Sequence, residues 1–429
     1  MRVAVVGAGW AGLAAAVAAG RDGHAVTVFE AARSPGGRAR GLAVGLPDGS
    51  NVVLDNGQHI LLGAYRATLG LMRQVGVLPE RVLLRLPLAL RFPDGSGLAL
   101  PSWPAPLDAA AGILTAKGWR WNDKAMLLRS ALDWRAARFL CPPDTTVSGL
   151  CRDLSPRVMA ELIEPLCVSA LNTPADRASG QVFLRVLRDA LFGERDGGWG
   201  SSNLLLPRRD LGQVFPEMAA ARLVARGDSL RTGHRVNTIA PRGSGWSVDG
   251  ETFDRVVLAC PDREAVRLVE ASGLAAPSWI ECTRALAHEA ITTVYAMGRQ
   301  SALPLPMLAL HTGPEAPAQF VFDRGQLGGP AGLLAFVVSA SNGDRDTLQR
   351  QILAQAHGLG WTDLKPVQTV VEKRATFACT PGLRRPAMEI AAGLLACGDY
   401  VAGPYPSTLE GAVRSGLEAA TRLNAGPIT

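Results

Sequence analysis

The chain opens MRVAVVGAGWAGLAAAVAAGRDGHAVTVFE, and few folds accept that order of residues. An apolar strand, Val3 to Val6, runs into Gly7, Gly9 and Gly12. An Ala-rich helix follows and breaks between Gly20 and Gly23, and a second strand, Ala25 to Phe29, ends at Glu30. Strand, glycine triplet, helix, strand and acid in this register predict a βαβ unit built to hold a dinucleotide. Gly7 permits the tight turn, Gly9 admits a pyrophosphate close to the backbone, and Gly12 lets helix and strand approach. Ala8, Trp10 and Ala11 complete the turn, where the helix N-terminus offers free N–H groups and the positive end of its dipole to phosphate. Glu30, followed by Ala31, stands where a carboxylate accepts hydrogen bonds from an adenosine ribose. A negative charge there disfavours a 2′-phosphate, and so NADP.

The next residues, AARSPGGRAR, place Gly36 and Gly37 among Arg33, Arg38 and Arg40. In isolation this reads as a Gly-Pro turn with solvated arginines. Directly behind the ribose acid it resembles the GG doublet of the flavoprotein superfamily that holds amine oxidases and carotenoid desaturases. The resemblance implies FAD, whose longer body needs a second backbone clamp, with cations for its phosphate oxygens.

At 429 residues the chain is long enough for two domains. Its 48% hydrophobic and 19% charged residues mark a globular protein. The start lacks a signal peptide's charged-then-apolar order, and no apolar run is long enough to predict a membrane-spanning helix. Seven cysteines without a C-x-x-C pair argue against a disulfide framework or a metal site and fit a reducing cytoplasm. The net charge of +6 is almost all arginine, with lysine only at 117, 124, 365 and 373. Its spacing matches no nucleic-acid stripe, so no nucleic-acid partner is expected, and a mild attraction to anionic lipid is the expected consequence.

The nucleotide signals recur in three blocks, which predicts an α/β fold: a discontinuous, Rossmann-like FAD-binding domain at 1–85, 205–275 and 375–429, with an interleaved α+β substrate-binding domain at 86–204 and 276–374. The run HRVNTIAPRGSGWSVDGETFDRVVLACP reads as three short strands. In flavoproteins of this kind a strand such as Arg235–Val236 lies beside the adenine, so Val236 joins the expected cofactor contacts. Residues 276–374 alternate as strands at Ile291–Met297, Leu333–Ser339 and Val367–Thr376, with one helix near Asp344 to His357.

Two segments carry chemistry. LDNGQHILLGAYRATLGLMRQVG puts Asp55, Asn56, Gly57, Gln58 and His59, the last four expected to contact the cofactor, ahead of an amphipathic helix that turns Leu62, Tyr65, Leu69, Met72 and Val75 to one side and stops at Gly76. An Asx turn and N-cap account for Asp55 and Asn56 as well as a functional role does. GLLACGDYVAGPYPSTLEGAVRSGLEAATRL predicts a buried strand ending at Gly398 and Asp399. A helix then starts near Ser407, with Ser407 and Glu410 as a capping box and Thr408 and Leu409 in its first turn. An ordinary C-terminal helix explains the capping. The preceding Gly-Asp suits a contact with the ribityl or phosphate region, and a helix N-terminus stabilises the negative charge of a reduced flavin. No cysteine lies in the loop from Gly403 to Thr408, so the FAD is expected to be non-covalent. The stretch LTAKGWRWNDKAMLLRSALDWRAARFLC is a basic helix with Trp119, Trp121 and Trp134. It reads either as a surface helix on a core or as a peripheral contact at the inner face of a membrane.

Five blocks together, VAVVGAGWAGLAAA, SPGGRAR, DNGQHILLGAYRATL, EPLCVSALNTPADRAS and GDYVAGPYPSTLEGAVRSGLEAA, resemble the hydroxysqualene dehydroxylase family over essentially the whole length. The first two are shared across the superfamily; the DNGQH and LNTP blocks narrow it. The resemblance implies reduction of the allylic alcohol hydroxysqualene to squalene in hopanoid synthesis, with a long apolar isoprenoid substrate. It also implies a functional link to the prenyl synthases of that route. Hydroxide is a poor leaving group and needs a general acid. His59 with Asp55 as its orienter is the candidate, and Tyr405 the reserve. Two other readings stay open: an oxidase or desaturase of another polyprenoid or an amine, and a prenyl-binding protein without redox chemistry, like the Rab GDP-dissociation inhibitors.

Overall fold

Strand Arg2–Val6, helix Trp10–Arg21 and strand Ala25–Glu30 form the βαβ unit expected of the opening residues. The computed structural model describes residues 1–46, 48–193, 200–299 and 301–424; positions 194–199 and 425–429, at the ends of two of the expected segments, lie outside the described residues. A Cβ on Gly12 would collide with the Gly7 carbonyl oxygen, so only glycine lets the helix start this close to the strand. The helix is buried from Trp10 to Gly20. Its alanines lie between the sheet and the C-terminal helix Leu409–Leu423, whose Gly416 rests against the Ala11 carbonyl.

The central sheet runs Ser229–Thr232, Ala25–Glu30, Arg2–Val6, Arg255–Leu258, Leu394–Ala396, Glu389–Ala391. All neighbours are parallel except the last pair. Its strands therefore come from three distant parts of the chain, and both faces are covered, which is why Val3–Val5 and Val256–Leu258 are wholly apolar. The stretch from His234 to Pro261 contains four strands rather than three. Ile239–Arg242, Gly245–Val248 and Glu251–Phe253 make an antiparallel meander, and Arg255–Leu258 enters the central sheet. Arg235 and Val236 are not a strand. The strand lies earlier, at Ser229–Thr232, because pairing with Ala25–Glu30 set the register there.

The second half of the molecule is a five-stranded antiparallel sheet: Met307–Ala309, Phe320–Asp323, Leu333–Ser341, His288–Met297, Lys365–Phe377. The first two strands, only three and four residues long, are too short to show a clear alternation and were not legible in the sequence. Alternation assigns the two faces. Tyr295, Phe320, Phe322 and Ala335 turn toward the helices of residues 107–192. Val294, Val321 and Phe336 turn toward helix Arg345–Gly358, capped by Asp344. Leu61–Leu62, Leu204–Pro207 and Leu83–Leu86 form a three-stranded sheet; Leu62 thus belongs to a strand, and the helix that follows is Arg66–Gln74.

Candidate active site

Gly9 N-caps the first helix, and no side chain caps it. The amide of Gly36 donates to the Ala8 carbonyl (2.8 Å), and Gly9 and Gly36 form an isolated parallel bridge. A Cβ on Gly37 would stand 3.2 Å from the Gly9 Cα. The two glycine loops are thus one continuous backbone surface at a helix N-terminus, a shape that suits a pyrophosphate and that any side chain would fill. At the strand's end, Glu30 accepts from the amides of Ala8 (2.7 Å) and Ala32 (2.8 Å). Each oxygen keeps a lone pair for a ribose hydroxyl. Ala31 beside it is exposed. Arg38 ion-pairs with Asp399 and donates to the Ala375 carbonyl (2.7 Å), tying the GG loop to the Gly-Asp loop 361 residues away. Gly398 is held in turn by Ser415, which accepts from its amide (2.7 Å) and donates to its carbonyl (3.0 Å). Val236 is buried, and its carbonyl accepts from Arg267 (2.8 Å).

The capping of the last helix differs from expectation. Thr408, not Ser407, is the N-cap and accepts from the Gly411 amide (2.9 Å). Ser407 has φ 58° and donates to the Phe377 carbonyl (3.1 Å). Glu410 makes no box. Its fully buried carboxylate accepts from Ala67 N (3.1 Å), Thr68 N (3.0 Å) and Thr68 Oγ1 (2.8 Å), and so caps helix Arg66–Gln74. The amides of Ala67 and Thr68, which take no backbone carbonyl at that helix start, offered a better partner than a local turn.

The DNGQH loop is pinned from three sides. Asp55 Oδ1 accepts from the amide of Leu211 (2.6 Å), at the start of helix Leu211–Val214. The Tyr295 hydroxyl donates to the Asp55 carbonyl (2.8 Å). The buried Arg324 donates to Gln58 Oε1 (3.2 Å). Asn56 pairs with the Arg40 backbone through its amide (3.1 Å) and Oδ1 (3.4 Å). Asp55 therefore does not orient His59. That role falls to the Gly57 carbonyl, 2.5 Å from Nδ1. A carbonyl only accepts, so Nδ1 carries the proton. Nε2 has no partner among the described residues. Burial, and the Arg38 charge after it, pull the His59 pKa below the usual histidine range, so the ring is neutral near pH 7. Burial acts oppositely on Asp55, which is raised to about 7; its Oδ2 is buried without a hydrogen bond.

Tyr405 is committed elsewhere. Its hydroxyl donates to Asp189 Oδ2 (2.7 Å), and the guanidinium groups of Arg185 and Arg414 stand 5.6 and 5.3 Å from its ring centre. A cavity of about 360 Å³, lined in part by Asp399, Tyr405, Gly411 and Arg414, opens beside it. The LNTP block is a pin. Asn172 ends helix Glu164–Leu171 at φ 46°, accepts from Ala340 N (2.6 Å) and donates to Thr376 Oγ1 (2.9 Å), while Thr173 accepts from Cys379 N (3.0 Å). It fixes the helical layer to the strand that leads to Phe377 and Ser407. Sequence reasoning missed Tyr295, Arg324 and Ser415. Only a lone arginine in an apolar run, VFDRGQL, hinted at one of them.

Residues 10–424 match the family of flavin containing amine oxidoreductases. The chain belongs to that family. It binds FAD and is an FAD-dependent oxidoreductase, with the Rossmann-type fold described above. A hydroxysqualene dehydroxylase of Rhodopseudomonas palustris is 31% identical, with 97% of each chain covered. One from Sinorhizobium fredii is 27% identical over the same shares, and one from Zymomonas mobilis 26%. Among solved structures, an oxidoreductase from Methanosarcina mazei superposes with a TM-score of 0.72 at 16% identity, covering 98% of this chain and 100% of that one. Putrescine oxidase bound to putrescine superposes at 0.66 and 19%, covering 99% of each. Both share the fold. The residues fit a flavin: a glycine backbone surface, an uncapped helix N-terminus, the Glu30 carboxylate with spare lone pairs, and Arg38 paired with Asp399. No described helix is long and apolar enough to cross a membrane.

Proposed function

We propose that the chain reduces the allylic alcohol hydroxysqualene to squalene. The reading is carried by the full-length similarity to three proteins of that name, joined to a complete flavin cradle. Bound FAD in its reduced form supplies the hydride. The substrate's C–O bond breaks, a C–H bond forms at the same carbon, and the oxygen leaves as water after taking a proton. His59 is assigned as the source of that proton through Nε2, the ring nitrogen left free by the Nδ1–Gly57 bond. Its depressed pKa makes the imidazolium scarce but strongly acidic, which suits a poor leaving group. The apolar cluster that joins the helices of residues 107–192 to the Tyr295–Phe322 sheet face is the part of the chain that we assign to a long isoprenoid.

The test is anaerobic. The FAD-loaded protein is reduced chemically and mixed with hydroxysqualene, and flavin absorbance is followed while squalene is assayed. Reoxidation with squalene formed supports the proposal; a flavin that stays reduced refutes it. His59→Ala is expected to keep its FAD and lose turnover. In the parent, kcat/KM is expected to fall about tenfold per pH unit above the His59 pKa, that is, above a value lower than 6.5. A rate that is flat from pH 5 to 8 removes His59 as the acid.

A further inference from the structure

Trp103, Leu107, Leu114, Trp121, Leu132 and Leu140 all lie exposed within one short stretch of chain, although most large apolar side chains among the described residues are buried. Helix Trp121–Ala136 buries only Asp123 and Leu127 of its 16 residues. Trp121, Ala125, Leu132 and Ala136 recur at helical spacing and are all exposed, with Leu128 half-buried on the same stripe. A surface helix ordinarily turns such a stripe inward. This one turns it outward. Its inner side packs Leu127, Met126 and Trp134 on the core, Asp123 caps its start by accepting from Arg120 N (2.9 Å), and the preceding Trp119 donates to the buried Glu161 (2.7 Å).

The stripe continues onto helix Leu107–Thr115. Lys124 donates to the Leu114 carbonyl (2.8 Å) and stands 4.9 Å from the Trp121 ring centre, so Leu114 and Trp121 belong to one surface. Charge decides the occupant. Residues 117–138 hold six cations (Lys117, Arg120, Lys124, Arg129, Arg135, Arg138) and two acids, one of them the inward Asp123. That is +4 of the chain's +6. Tryptophan and leucine ringed by cations match an anionic lipid surface: apolar groups enter the acyl boundary, and the cations stay with the headgroups.

We propose that helix Trp121–Ala136, with the end of helix Leu107–Thr115, is a docking surface for an anionic lipid bilayer. The proposal does not depend on the reaction assigned above. The full FAD-loaded chain is sedimented with phosphatidylcholine vesicles, with and without roughly a third phosphatidylglycerol, at low and high salt. Binding to the anionic vesicles alone, weakened by salt, is expected. Arg129→Gln with Arg135→Gln is expected to weaken it about thirtyfold. Trp121→Ser with Leu132→Ser is expected to weaken it at least about tenfold. All four side chains are exposed, so flavin content and unfolding midpoint stay at parental values and separate lost docking from lost fold. Equal binding to neutral vesicles, no binding, or unchanged binding by both variants overturns the proposal. So does lipid-free self-association that Trp121→Ser abolishes, which assigns the surface to a second copy of the chain.

Discussion

Asp55 presents a sharp electrostatic prediction. Its carboxyl is almost wholly buried, one oxygen accepts from Leu211 N, and the other has no partner. Burial raises its pKa from 3.8 to about 7 in the folded chain. In the unfolded chain the carboxylate returns to its ordinary range, so the folded state binds the extra proton and is penalised as pH rises. The sign follows. Below 3.8 both states are protonated and there is no penalty; between 3.8 and about 7 stability falls steadily; above 7 the loss is complete. A rise of this size corresponds to roughly 4 kcal/mol in full, of which about 2 kcal/mol accumulates between about pH 5.5 and 8.5. Asp55→Asn keeps an oxygen for Leu211 N and removes the titration. Urea unfolding of the FAD-loaded parent and variant at those two pH values isolates the term, because all other titrating groups cancel in the difference. The variant is expected to gain about 2 kcal/mol on the parent between the lower and the higher pH. A difference between the two proteins that does not change with pH refutes the reasoning and means that Asp55 is ionised in the native state.

Two further outcomes follow from the site. Glu410→Ala leaves Ala67 N, Thr68 N and Thr68 Oγ1 without their acceptor, and is expected to cost about 3 kcal/mol in urea unfolding, whereas an ordinary exposed capping glutamate costs well under 1. Glu30→Arg places a cation where ribose hydroxyls need an acceptor and breaks the bonds to Ala8 N and Ala32 N; loss of FAD absorbance with retained circular dichroism is expected, and undiminished flavin content contradicts the ribose role.

The βαβ unit, the GG loop and the C-terminal Gly-Asp helix were legible because their signals are local. A glycine forced by a neighbouring carbonyl, an alternation along one strand, or an acid at a strand's end is written within a few residues. Nearby cues misled where a distant group competed. Ser407 and Glu410 have capping-box spacing, yet Glu410 turned to Thr68, 342 positions away, because a buried helix start binds a carboxylate more strongly than a solvated turn does. Asp55 and His59 are near neighbours in sequence, yet a helix start took the one and the Gly57 carbonyl the other. Strand Ser229–Thr232 replaced the expected Arg235–Val236 because its register is set by Ala25–Glu30.

The sequence by itself determined the nucleotide-binding class and the family, since the backbone geometry for a pyrophosphate demands particular residues at short fixed spacing. Only the tertiary structure decided what holds the site in place: Arg38 with Asp399, Tyr295 on Asp55, Arg324 on Gln58, Asn172 between Ala340 and Thr376. These contacts join residues more than a hundred positions apart. Their energies depend on burial and on which donors are left unpaired when the two halves close, and neither quantity is carried by any short stretch of chain.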